Sequence, residues 1–167
     1  MQTDDTNLSD LTEYLNGLPA RKEPHDADYL LLTCMDFRFL RLIAQYMGGW
    51  KYDHVALAGA ALGAVVEQKP HWRETFLDHL NLARRLHQIE SGIIILEHRD
   101  CGAYREFGLL GPNPDPADER AAHKAQVDKF IEKMVDIHML PVKGYLLSLP
   151  GGVDPLTANQ LTLDELT

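Results

Sequence analysis

Only two cysteines, Cys34 and Cys101, occur in the 167 residues, too few for a disulfide framework. In a reducing compartment both stay thiols, available to a metal or to chemistry. No apolar run approaches the roughly 18 residues of a membrane span, so no transmembrane helix is expected. Cations are also short. Sixteen Lys and Arg against 25 Asp and Glu leave a formal charge of −9, which repels phosphate backbones and anionic lipid and so disfavours nucleic-acid and membrane partners. The first ten residues hold three Asp, and no basic residue precedes Arg21. A secretion signal needs a charged and an apolar part, and both are missing, so the expected location is cytoplasmic. The chain has no internal repeat and no low-complexity tract. Its length suits one domain, residues 1–167, and a composition of 45% hydrophobic and 25% charged residues suits a soluble globular fold.

What is present alternates. Ser9 can cap a helix that carries Leu11, Tyr14, Leu15 and Leu18 at helical spacing, with Asp10 and Glu13 suiting its dipole and Pro24 closing it. Residues 29–33 then form an apolar run too short for a helix, as expected of a strand buried on both faces. Residues 55–58, 93–96 and 145–149 read the same way. Between these strands the spacing predicts three helices. The first carries Leu40, Ile43, Ala44 and Met47 and ends at Gly48. The second runs from Pro70 through Trp72, Phe76, Leu80 and Ala83 to about His87. The third, over about 117–139, carries Val127, Phe130, Ile131, Met134 and His138. Buried strands alternating with helices predict an α/β fold with a mainly parallel sheet flanked by helices. Pro112, Pro114 and Pro116 mark residues 108–118 as a surface loop, a domain linker being the alternative.

Both cysteines follow predicted strands. An open parallel sheet binds ligands at the carboxyl ends of its strands, where the strand order reverses. If the second and third strands add on opposite sides of the first, Cys34 and His98 face each other at that point. Taken singly, each cysteine reads as a small buried hydrophobe. The neighbours favour chemistry: Cys34, Asp36 and Arg38 form C-x-D-x-R, and His98 and Cys101 form H-x-x-C. Two thiolates and an imidazole suit tetrahedral zinc and leave a position open for water. An anionic Asp36 beside that ion would displace the water unless Arg38 offered it a bidentate partner. The competing reading of Asp36 and Arg38 is a surface ion pair worth about 0 to 1 kcal/mol. Gly102 permits a tight turn after Cys101, and a helix starting there would favour the thiolate.

With C-x-D-x-R after the first strand and H-x-x-C-G after the third, the chain resembles the β-class carbonic anhydrases over about residues 28–152. The order of elements and the Ala58-Gly59 pair match as well. The resemblance implies a zinc ion held by Cys34, His98 and Cys101, with water or Asp36 in the fourth place and Arg38 paired to Asp36. It implies a parallel sheet of order 2-1-3-4 with an antiparallel extension, and a homodimer or higher even oligomer. The single domain then divides into an N-terminal helical arm, residues 1–27, and a zinc-binding core, residues 28–152. The implied activity is reversible hydration of carbon dioxide to bicarbonate by a zinc-bound hydroxide, with Asp36 and Arg38 as catalytic residues.

The chain also departs from the family. Ala56-Leu57-Ala58-Gly59 stands where many members have Arg-Asn-Ala-Gly, and Glu97 replaces the Gly that commonly precedes the zinc histidine. These differences leave open a zinc hydrolase of carbonyl sulfide or carbon disulfide. They also leave open a non-catalytic zinc-binding regulatory protein in which Asp36 or Glu97 fills the fourth position. His54, His71 and His123 are readable as proton carriers or as solvated or structural histidines. Tyr104 reads as pocket lining or as packing, and Trp72, Phe76 and Leu80 as core.

Overall fold

A computed structural model of the chain describes residues 26–138, 140–149, 158 and 160–167. The helix expected around Leu11 to Leu18, and with it nearly all of the N-terminal arm, lies outside them. Among the described residues five strands form one sheet: β1 (Tyr29–Cys34), β2 (Tyr52–Leu57), β3 (Gly92–His98), β4 (Val142–Ser148) and β5 (Thr162–Glu165), in the order 2-1-3-4-5. The first four are parallel, and β5 runs antiparallel to β4. The sheet is thus the expected 2-1-3-4 with its antiparallel extension, flanked by helices.

Among the described residues five helices connect these strands: α1 (Phe37–Tyr46), α2 (Ala61–Val65), α3 (Pro70–His87), α4 (Gly102–Glu106) and α5 (Pro116–His138). Pro116, read from sequence as loop, opens α5, where proline's missing N–H costs nothing. No helix among the described residues is long and apolar enough to cross a membrane.

Side chains alternate across the sheet, as strand geometry requires. Leu30, Leu32, Ile93, Ile95 and Leu146 face α2, α3 and α5, where Phe76, Leu80, Val127, Phe130 and Met134 pack against them. Leu31, Leu96 and Leu147 face the other way, against Phe39, Ile43 and Met47 of α1 and its end. This explains why β1 and β3 read as uninterrupted apolar runs. The first helix, however, is turned from its expected phase. Leu40 and Ala44 are exposed, while Phe39 and Leu42 are buried with Ile43 and Met47. Asp36 caps this helix by accepting the Arg38 amide proton at 3.0 Å, and the Phe39 ring stacks on His98. These two contacts at its first turn orient it on the sheet.

Candidate metal centre

The reversal of strand order falls between β1 and β3, and three side chains converge beyond their carboxyl ends. Cys34 is the last residue of β1, His98 the last of β3, and Cys101 the residue capping α4. All three are buried, and their ligand atoms lie within 4.8 Å of one another. The two sulfurs are 3.9 Å apart. A tetrahedral zinc site with Zn–S bonds of about 2.3 Å places two sulfurs about 3.8 Å apart, so the pair is already at ligand spacing.

His98 is set up as a donor of one lone pair. Its Nδ1 lies 2.8 Å from the Arg99 carbonyl oxygen, which can only accept, so Nδ1 carries the proton. In the neutral imidazole Nε2 is then left bare, and among the described residues it is buried with no hydrogen-bond partner. A buried acceptor without a partner is costly unless something fills the space before it. Beside two thiols, a soft divalent metal is the group that fits.

The thiols are electronically prepared. Contact with Cys101 draws the Cys34 thiol pKa down against the opposition of burial, aided by His98 and the Gly59 amide. The Gly59 N–H donates to Cys34 Sγ at 3.3 Å. Cys101 is pushed up by its contact with Cys34 and by burial. Burial opposes a charge on His98, but the Cys34 sulfur and its charge carry the imidazole upward.

Asp36 and Arg38 stand at the open side. Arg38 Nη2 donates to Asp36 Oδ2 at 2.6 Å, and Nε lies 2.9 Å from Oδ1 and 3.1 Å from Oδ2. These bonds hold the Asp36 carboxyl below its ordinary range. Asp36 Oδ2 is 3.8 Å from His98 Nε2, close to the ligand group but engaged by the guanidinium. Asp100, in the left-handed region with φ +58°, accepts from both Arg38 and Arg105 and braces the pair from outside. Sequence reasoning placed no role on Asp100.

A pocket of about 610 Å³ opens onto Cys34, Asp36 and Arg38. Its walls are largely apolar, with Ala58, Ala103, Trp72 and Phe107 among them and Lys69 at the side. Trp72 is accordingly divided between packing and pocket rather than lying wholly in the core.

Glu97 does not join the ligand group. Alternation along β3 sends it to the face opposite His98, where Oε1 accepts the Ala61 N–H at 2.9 Å and Oε2 lies 3.0 Å from His123 Nδ1. Glu97 and His123 are fully buried, and Tyr104, also buried, stacks on the imidazole instead of lining the pocket. His54 hydrogen-bonds Thr33 and His71 is exposed. The burial of His123 was detectable in principle, because it precedes Val127, Phe130 and Met134 by four, seven and eleven residues and extends their stripe.

No known family profile matches the chain. It is 31% identical over 140 residues to an uncharacterized protein of Rickettsia bellii, an alignment spanning 81% of this chain and 85% of the relative. A second uncharacterized protein, from Rickettsia conorii, is 31% identical over 142 residues, 81% of this chain and 75% of the relative. Among solved structures, a carbonic anhydrase from Streptococcus mutans superposes with a TM-score of 0.58 at 17% identity, covering 100% of this chain and 99% of the other. A β-carbonic anhydrase from Trichomonas vaginalis gives 0.57 at 15% identity, covering 98% and 97%.

Proposed function

We propose that this chain, which belongs to one family with the two rickettsial proteins and has the fold of the β-class carbonic anhydrases, is a zinc-dependent enzyme that reversibly hydrates carbon dioxide to bicarbonate and a proton. The observation that carries the proposal is the buried, unpartnered Nε2 of His98 grouped with two thiols 3.9 Å apart, one of which, Cys34, lines an apolar pocket. Cys34, His98 and Cys101 would hold the ion. Bound there, zinc supplies Lewis-acid activation of a water molecule.

The chain's own groups do the rest. Asp36 accepts a hydrogen bond from the water that adds to the carbon, fixing which lone pair points at the substrate. Arg38 fixes Asp36, and by occupying both carboxylate oxygens it keeps them from the fourth ligand position. Trp72, Phe107, Ala58 and Ala103 give an uncharged linear substrate an apolar surface from which bulk water is displaced. The new C–O bond forms as one C=O electron pair moves onto oxygen, and the released proton passes to solvent.

The assembly we propose is a two-fold dimer or a multiple of it. Met35 and Phe37, both 67% exposed at the pocket mouth, supply apolar surface for such a contact. Light scattering should give a mass above the 18.8 kDa of one chain. The functional test is stopped-flow hydration of carbon dioxide by protein of measured zinc content, with carbonyl sulfide and carbon disulfide run in parallel. Turnover of the sulfur compounds alone would keep the metal site and change the substrate. A zinc-loaded protein inactive toward all three would make the site non-catalytic.

A further inference from the structure

Glu97 is a fully buried carboxylate that the proposed chemistry leaves unused. Its two oxygens join three parts of the fold. Oε1 takes the Ala61 amide proton, at the first residue of α2, and Oε2 faces His123 on α5, while its own backbone lies on β3 beside His98. The α2 helix has no side-chain cap of its own: Ala60 stands at its start with φ +47° and contributes no hydrogen-bonding side chain. Every residue of α2 is buried, so no water reaches its first amide. Glu97 therefore supplies from another strand the acceptor that the local sequence withholds.

The turn held in this way touches the metal centre. Two residues before Ala61, the Gly59 N–H donates to Cys34 Sγ. Gly59 has φ +77°, and a Cβ there would lie 3.1 Å from that of Ala103, so backbone conformation and packing leave this amide little alternative placement. The Ala60 N–H meanwhile closes back on the Leu57 carbonyl. The segment from β2 to α2 is thus tied at one end to Glu97 and at the other to the thiolate.

We infer that Glu97 is a positioning residue for the Cys34 thiolate, acting through Ala61 to hold the Gly59 amide on the sulfur. The inference rests on the metal-site reading for its affinity consequence but not for its geometry. His123 serves it in turn, since Nδ1 engages the second oxygen and keeps the carboxylate facing α2.

The test compares Glu97→Leu, which removes the acceptor at similar volume, with Glu97→Gln, whose amide oxygen can still take the Ala61 proton, and with His123→Asn as an independent perturbation of the same carboxylate. Cobalt(II) serves as the probe metal, because its visible spectrum reports thiolate coordination. Amide hydrogen exchange at Gly59 and Ala61 is followed in the metal-free proteins. Glu97→Leu should weaken cobalt binding by about 10- to 100-fold, the usual effect of losing a group that supports a metal ligand. It should also change the sulfur-to-cobalt absorption and accelerate exchange at both amides. Glu97→Gln should stay near the wild type in all three readouts, and His123→Asn should move them in the direction of Glu97→Leu. If Glu97→Leu fails to fold, His123→Asn carries the comparison. Unchanged spectra, affinity and exchange in the folded variants would overturn the inference. A wild type that binds no cobalt would instead overturn the metal reading, with the exchange comparison still deciding the role of Glu97.

Discussion

Replacing Arg38 by Ala should slow the proposed hydration while leaving zinc bound to Cys34, His98 and Cys101. Asp36 Oδ2 already lies 3.8 Å from His98 Nε2. Two donors on one tetrahedral zinc stand about 3.3 Å apart when each bond is near 2.05 Å, so the carboxylate needs only a small swing to become a ligand. What opposes the swing is the guanidinium, at 2.6 to 3.1 Å from the two oxygens. Hydrogen bonds to charged groups contribute about 1.5–3 kcal/mol each. The pair is 30% and 17% exposed, so the contacts count for less than their sum. Taking about 2 kcal/mol for the pair, its loss moves the balance between a free and a filled fourth position about thirtyfold. Arg38→Ala should therefore hydrate carbon dioxide more slowly than the wild type, by up to about thirtyfold at equal zinc content, measured by stopped flow with an indicator dye. Adding Asp36→Asn should relieve the block in part, because the amide is a poorer ligand, while still lacking the carboxylate that receives the water's hydrogen bond. An Arg38→Ala variant as fast as the wild type would refute the restraining role.

Other predictions follow from separate parts of the structure. Cys101→Ser should lose most bound zinc and should melt below the wild type by differential scanning calorimetry, because binding to the folded state alone stabilises it; equal zinc content and equal melting would count against the ligand set. Gly144→Ala should destabilise by about 1–3 kcal/mol in urea unfolding, since the new Cβ would sit 2.7 Å from Val127 Cγ1. Adding Val127→Ala should cost less than the sum of the two single changes, and strict additivity would refute this packing argument. The Arg38 hydrogen bonds lower the folded Asp36 pKa beneath its ordinary 3.8, so the pair's stabilisation is complete above that value and is lost as pH falls through the lower folded one. Metal-free wild type should thus lose more unfolding free energy than Asp36→Asn between about pH 5 and about pH 3; equal losses would show the pair contributes nothing.

The parallel sheet was legible because β1 and β3 are covered on both faces and need apolar side chains at every position, a signal that local composition carries. The convergence of Cys34, His98 and Cys101 was legible because each sits at or just after a strand end, where sheet topology alone brings residues distant in sequence together. The antiparallel extension was implied by the family resemblance but not legible in its own residues: β5 has four residues, three of them exposed, and only pairing with β4 makes it a strand. The face of α1 was misjudged because its rotation depends on Phe39 stacking against His98, 59 residues away by the numbering of the two. The same limit applied to Glu97. Its place one residue from His98 suggested an intruder on the metal, whereas strand alternation turns it to the other face and a histidine on α5 receives it.

Cys34, His98 and Cys101 are proposed to form a zinc site that hydrates carbon dioxide. The most direct test is the initial rate of hydration by wild type and Cys34→Ser, each assayed with its zinc content determined on the same sample. About one zinc per chain and a rate proportional to zinc are expected in the wild type, with both lost in the variant. Full zinc without hydration in the wild type, or hydration undiminished in a zinc-free variant, would contradict it.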